Sequence, residues 1–164
     1  MKWVLIVVAA LATLAALVAI VGWSLPVKHV ASRQRTLAAS PDVVWKTITD
    51  LDAFPSWRSD VKTVERVGGA AVVTWVEYGR SGPLTFAIES SDPPRRLVTR
   101  VADPKLPFGG RWTYDLAPAG SGTLLTITEN GEIYNPIFRA MARFVFGYDA
   151  TMASYLDALA KKVG

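Results

Sequence analysis

The chain has 164 residues, of which 51% are apolar and 20% charged, and its formal net charge is +4. This composition excludes a disordered chain, and the absence of cysteine excludes disulfide scaffolds, thiolate metal sites and cysteine nucleophiles. A single histidine argues against a multi-histidine metal centre, and dispersed basic residues argue against a nucleic-acid partner. We therefore predict no metal site, no cofactor and no nucleic-acid binding.

The first predicted element is a membrane-spanning helix. Residues 3–25 contain no charged residue, and at about 1.5 Å per residue they span roughly 34 Å, enough to cross a hydrocarbon core of about 30 Å. Trp3 and Trp23 lie near the two ends, where indole rings favour the headgroup region, and Pro26 ends the helix. A cleaved signal peptide is the alternative, but its apolar region usually has about 7–15 residues.

The chain therefore divides into an uncleaved anchor over residues 1–26, a linker over 27–31 and a folded domain over 32–164. Basic residues are fewer before the apolar run than just after it. By the positive-inside rule, this asymmetry predicts a single-pass protein of the cell membrane with a cytoplasmic domain.

The domain begins with a predicted strand over 32–38 and a helix that starts at Ser40, with Pro41 in its first turn. A second short helix or turn follows over 52–57. The pattern then changes to a period of two, with strands predicted over 61–67, 71–78, 84–90, 96–102, 111–116 and 123–133. Short connections between them indicate an antiparallel meander.

A long amphipathic helix is predicted to end the chain. Asn135 caps it, Pro136 opens it, and one apolar stripe continues to about residue 162. Gly147 lies in its middle, where it indicates either a close packing contact or a bend. This helix has to bury its stripe, and the concave face of a strongly bent sheet is the available apolar surface. The order of elements predicts an α+β fold with a cavity between sheet and helix.

Several segments resemble the START-like proteins of the SRPBCC superfamily. The opening of the domain, from Ser40 to Trp45 and then Phe54 to Trp57, is similar to their strand, "P-x-x-V-W" helix and "P-x-W" pattern. Residues 110–114, 122–129 and the Asn-Pro helix start also match the polyketide cyclase/dehydrase-like branch. The resemblance implies a helix-grip fold, with six to seven strands around the C-terminal helix, and a hydrophobic pocket.

The predicted pocket lining combines sheet positions that share a face with residues of the helix stripe. These residues are Trp75, Phe86, Ile88, Trp112, Tyr114, Ile127, Glu129, Met141, Phe144, Tyr148 and Met152. The aromatic and methionine side chains are equally suited to ordinary core packing. Ligand pockets of this kind are mostly apolar with few polar groups.

Glu129 is the one candidate catalytic residue, because it falls in phase with Leu125 and Ile127 on a pocket-facing strand. It would serve as a ligand anchor or general base. The simpler interpretation is that the strand twists outwards there and Glu129 pairs with Arg111 or Arg100.

Two other features have plain explanations. His29 follows the anchor closely and is interpreted as a linker or interfacial histidine. The apolar segment 105–110 is an exposed loop, a pocket lid or a segment that dips into the membrane.

Three functions fit this sequence. The first is membrane-anchored binding or transfer of a hydrophobic small molecule, such as a lipid, an isoprenoid quinone or a polyketide-like compound. The second is a cyclase or dehydratase acting on a polyketide-like substrate, with Glu129 as the acid/base. The third is a non-catalytic interaction module for a membrane partner.

Overall fold

The computed structural model describes residues 1–68, 72–80 and 82–164. Its helices are α1 (Lys2–Ser24), α2 (Pro41–Thr49), α3 (Phe54–Trp57), α4 (Pro136–Met141) and α5 (Ala150–Val163). A 3₁₀ turn at Leu51–Ala53 precedes α3, and a π-helical turn at Ala142–Phe146 follows α4. The strands are β1 (Lys28–Leu37), β2 (Val61–Val67), β3 (Thr74–Gly79), β4 (Gly82–Asp92), β5 (Arg96–Val101), β6 (Phe108–Ala119) and β7 (Gly122–Ile133).

Within the described residues, the strands form one antiparallel sheet with the order β1-β7-β6-β5-β4-β3-β2. The first strand therefore pairs with the last, over Lys28 to Leu37 opposite Glu132 to Thr123. Directly opposite residues in antiparallel strands lie on the same face. Tyr114 faces Ile127, and Trp112 faces Glu129, which puts these four side chains on the concave face.

The helix-grip architecture is confirmed: α5 lies against the concave face and buries one side there. Its fully buried Met152 and Leu159 pack with Leu125 and Ile127 of β7 and with Leu37 of β1. A second cluster under α3 joins Phe54, Val61 and Trp75. Two exposed ion pairs, Arg33 with Asp149 and Arg35 with Asp157, connect β1 to the start and middle of this helical segment.

The C-terminal helix is confirmed, but its predicted continuous stripe is interrupted. Asn135 caps α4 as expected, since its side-chain oxygen accepts hydrogen bonds from the backbone N–H groups of Ile137 and Phe138 at 2.9 and 3.2 Å. The π-helical turn then ends at Gly147, whose φ of 77° suits glycine. Of the two explanations for Gly147, the bend is the one observed, and it turns the chain between α4 and α5.

Several strand boundaries differ from the prediction. Residues 28–31, predicted as linker, pair with β7 as the first part of β1. Three residues separate the end of α1 from this strand. The predicted start of the third strand at residue 71 lies outside the described residues. Phe108 to Gly110, predicted as part of a loop, belong to β6.

Helix α1 is long and apolar enough to cross a membrane, with a mean hydropathy of 3.1. Its last turn lies against α4 of the domain. Gly22 is buried at this contact, and a Cβ atom there would overlap the carbonyl oxygen of Pro136. The buried Arg139 donates a hydrogen bond from Nη1 to the carbonyl oxygen of Leu25 at 2.7 Å. The helix end and the domain are therefore held together by direct contacts.

Candidate functional site

A partly open cavity of about 630 Å³ lies between the β1-β7-β6 end of the sheet and the α4–α5 segment. Its wall is mostly apolar: Phe108, Ile133, Ile137, Phe138, Met141, Ala142, Phe146 and Tyr148. Polar groups enter from His29, Glu129, Glu132 and Thr151. The bend at Gly147 creates this space, because it moves α4 away from the line of α5 and leaves part of the sheet uncovered.

Glu129 is the centre of a polar cluster on the cavity wall. One carboxylate oxygen lies 3.3 Å from His29 Nε2, and the other accepts a hydrogen bond from Trp112 Nε1 at 2.9 Å. The His29 ring stacks on Tyr148 with ring centres 4.1 Å apart. Gly131 makes room for this ring, since a Cβ atom there would overlap it. The carboxylate is thus held in one orientation by groups from β1 and β6.

The interpretation of Glu129 as an outward residue paired with an arginine is wrong, and so is the linker position of His29. The carboxylate does not pair with an arginine: Arg111 instead binds Glu89 on the other face of the sheet. His29 is not a linker residue, because β1 begins at Lys28 and its pairing with β7 brings the imidazole beside Glu129. Strand twist does not carry Glu129 outwards, since it keeps its register opposite Trp112.

The remaining residues predicted for the pocket separate into three places. Met141 and Tyr148 line the cavity with Glu129. Phe144 lies at the surface, with 66% of its area exposed, because the π-helical turn faces it away from the sheet. The others pack into the two core clusters, where the sheet curves onto α5 and α3: Trp75, Phe86, Ile88, Trp112, Tyr114, Ile127 and Met152.

A second polar cluster is buried between α3 and β3. Arg58 donates two hydrogen bonds to the carboxylate of Glu77, at 2.9 and 2.8 Å, and two to Asp60, at 2.7 and 3.4 Å. Trp75 Nε1 also donates to Glu77 at 3.0 Å. The guanidinium lies 5.1 Å from the ring centre of Phe54 and 5.5 Å from that of Tyr155. The guanidinium of Arg58 is therefore paired with two carboxylates and packed against aromatic rings.

Burial opposes ionisation of two tyrosines near this cluster, Tyr155 and Tyr114. Burial raises the pKa of Tyr155 and Tyr114 well above the ordinary value for tyrosine. Burial would lower the pKa of Arg58, but the hydrogen bonds and charges of Asp60 and Glu77 outweigh it and raise the pKa. The tyrosines are neutral hydrogen-bonding groups here, and Arg58 stays charged.

Sequence patterns did not identify Arg58 or Glu77 as partners. Glu77 does fall in phase with Trp75 on β3, so a carboxylate on the buried face was visible in the strand period. Arg58 directly follows the "P-x-W" segment. What joins them is the packing of α3 on the sheet, which is a tertiary contact.

A further cavity of about 610 Å³ lies at the same end of the sheet and shares His29, Phe108, Gly109 and Glu132 with the first. Its other lining residues include Lys28, Arg100 and Arg111. These basic side chains make this cavity more polar than the cavity under α4.

Comparisons with known proteins agree with this architecture. The Zhui aromatase/cyclase from Streptomyces sp. R1128 superposes with a TM-score of 0.66 at 13% identity, covering 83% of this chain and 93% of that one. A START superfamily protein from Mycobacterium smegmatis gives 0.63 at 18%, covering 82% and 97%. Norcoclaurine synthase from Thalictrum flavum gives 0.66 at 14%, covering 88% and 90%. No curated protein gives a significant sequence match.

The family assignment comes from the sequence of the whole folded domain. Residues 28–164 match the family model described as "Polyketide cyclase / dehydrase and lipid transport". The matched range begins at the first residue of β1 and ends with the chain. The chain therefore belongs to this family, and its fold is START-like.

Proposed function

We propose that the chain is a membrane-anchored protein that binds or transfers a hydrophobic small molecule in the cavity under α4. The candidates are a lipid, an isoprenoid quinone or a polyketide-like compound. The observation that carries the proposal is the cavity itself, which has an apolar wall and an oriented carboxylate, Glu129, beside His29. The family match supports hydrophobic ligand binding or a cyclase-like function.

The size and lining of the cavity suit this role. Small-molecule sites usually have about 300–1,000 Å³ and a few placed polar groups in an apolar wall, and this cavity has about 630 Å³. Burial of apolar ligand surface supplies the affinity, at about 25 cal/mol per Å². The Glu129–His29 pair would orient the polar end of the ligand. Side chains do not fill this cavity. A cavity of this size favours ligand binding over the role of a non-catalytic interaction module.

The anchor gives the proposal its cellular setting. Helix α1 would place the domain at the cell membrane, on the cytoplasmic side by the distribution of basic residues. Such attachment raises the effective concentration of a membrane-dissolved ligand at the cavity.

The test begins with the full chain extracted in detergent. Mass spectrometry of its organic extract should show one class of hydrophobic compound enriched over the surrounding membrane lipids. The same class, added to delipidated protein, should raise the thermal unfolding temperature. No enrichment, together with no shift across lipids, quinones and polyketide-like compounds, would refute ligand binding.

A cyclase-like activity is the second candidate, favoured by the contact of Glu129 with His29 at 3.3 Å on the cavity wall. A carboxylate and an imidazole within reach of each other and of a ligand can transfer protons in a cyclisation or dehydration.

Glu129→Gln separates the two functions. The substitution keeps the shape and the Trp112 hydrogen bond but removes the base. An enzyme should lose about 10²–10⁴-fold in kcat while retaining ligand affinity, and a carrier should lose some affinity only. Full turnover of a substrate by this variant would exclude Glu129 as the acid/base. Glu132→Gln is the matched control, since Glu132 lines the same cavity and contacts Lys28 and Tyr134.

A further inference from the structure

The π-helical turn carries three consecutive apolar side chains on the surface of the domain. Phe144, Val145 and Phe146 are 66%, 62% and 65% exposed. Ile137 and Phe138 of the neighbouring α4 are also exposed. An apolar patch of this kind marks an interaction surface rather than ordinary scatter of apolar side chains. We call Ile137, Phe138 and residues 144–146 the apolar patch.

The apolar patch lies beside the end of the membrane helix. The first residue of α4, Pro136, contacts Gly22 in the last turn of α1. One turn further along α4, Arg139 is hydrogen-bonded to the carbonyl oxygen of Leu25. These contacts fix α4 at the level where α1 ends. The α4 part of the patch, Ile137 and Phe138, is therefore next to the end of the apolar helix.

The anchor also sets the depth of this region. Trp23 is exposed in the last turn of α1, where an indole favours the headgroup layer. Only Leu25, Pro26 and Val27 separate α1 from β1. Strand β1 then leads away to Leu37, and at about 3.3 Å per residue its far end is roughly 30 Å from its start. The patch is thus at the membrane end of the domain, and α2 is at the other.

We propose that the apolar patch inserts into the bilayer interface and forms a second membrane attachment, so that the cavity opens towards the lipid. The apolar patch and the cavity wall share three residues: Ile137, Phe138 and Phe146. The occupant of the patch is a lipid surface, and a hydrophobic ligand enters from the bilayer without crossing water. This inference rests on the membrane anchoring proposed above.

The chemistry of the segment suits an interface better than the interior of a protein complex. Arg143 is exposed among the aromatic residues and would lie at the level of the lipid phosphates. Amphipathic segments with Phe or Leu on one side and a basic residue on the other bury their apolar side about 5–10 Å into the headgroup and acyl boundary.

The sequence contains no cysteine, so a single introduced cysteine can be labelled specifically to measure the depth of its position in the bilayer. Full chains with Val145→Cys, Val43→Cys or Leu14→Cys are labelled with an environment-sensitive fluorophore and reconstituted in vesicles of phosphatidylcholine and phosphatidylglycerol. Val43 is the matched control, a valine that is 48% exposed at the start of α2. Leu14 reports the middle of α1. Quenchers are carried on lipid chains near the headgroup, near the chain end, or dissolved in water.

We expect the Val145→Cys probe to be quenched most by the shallow lipid quencher and to be protected from the aqueous one. The Val43→Cys probe should respond only to the aqueous quencher, and the Leu14→Cys probe most to the deep one. Aqueous quenching at Val145→Cys equal to that at Val43→Cys, with Leu14→Cys still deep, would overturn the inference and leave the anchor intact. Protection that disappears on dilution of protein in lipid would also overturn it, since a second copy would then cover the patch.

None of these readouts depends on a ligand, so failure here is distinct from failure of the proposed binding function. The exchange of ligand provides the functional arm. Phe144→Glu should slow transfer of a fluorescent fatty acid from vesicles severalfold, because it puts a charge in the apolar patch. The affinity measured in detergent should stay unchanged, because Phe144 does not line the cavity.

Discussion

Replacement of Arg58 by methionine is expected to lower the free energy of unfolding by about 3–5 kcal/mol. The substitution keeps much of the side-chain volume but leaves the Glu77 carboxylate, 8% exposed, with Trp75 Nε1 as its remaining hydrogen-bond donor among the described residues. A buried charge without its partner costs far more than the pair itself contributes. Chemical unfolding of the full chain in detergent, followed by tryptophan fluorescence, measures the change.

The double variant Arg58→Met/Glu77→Leu is the control for this prediction. Removal of both charges leaves apolar groups of similar volume against Phe54 and Tyr155, and should recover most of the lost stability. If the double variant is as unstable as the single one, the cost comes from packing and not from an unpaired charge. Arg66→Met is a matched surface variant: Arg66 pairs with the exposed Asp52, and we expect a loss of about 0–1 kcal/mol.

A large side chain at position 142 should weaken ligand binding strongly. Ala142 lines the cavity where the π-helical turn begins, and tryptophan there would occupy space needed by the ligand. Loss of about 100 Å² of apolar ligand contact costs about 2.5 kcal/mol, which is roughly 70-fold in Kd. Titration with a fluorescent fatty acid, or with the compound recovered from the purified chain, measures the change.

Ala117→Trp provides the same substitution on an exposed position of β6, outside this cavity. It should leave the Kd unchanged. Unaltered affinity in the Ala142→Trp variant would show that the ligand occupies another part of the molecule, such as the more polar cavity beside Arg100 and Arg111. The thermal unfolding temperature of both variants is measured beside the Kd, so that a folding defect is separated from a blocked cavity.

Much of the fold could be predicted because its signals are local. The period of two over β2 and β7, and the turn residues between strands, act over a few neighbours. The start of α4 is also local, since Asn135 caps the two N–H groups that directly follow. The START-like motifs then added the global arrangement that local patterns do not contain.

The site could be predicted only in part, because its members meet through long-range pairing. His29 and Glu129 are 100 positions apart in the chain and become neighbours through the β1–β7 ladder. The helical stripe was also misleading after Met141: its spacing continues through Phe144, yet the π-helical turn changes which side of the segment faces the sheet. Periodicity assumes an unbroken helix, and that assumption failed at Gly147.

The pairing of the first strand with the last has a consequence for the order of folding. During synthesis β1 leaves the ribosome directly after α1, but its partner β7 extends to Ile133, far later in the chain. Loop closure over this distance is slow, and β1 stays unpaired until β7 has been made. Helix α1 is therefore made well before the sheet can close, and the domain completes its folding only after this apolar helix has left the ribosome.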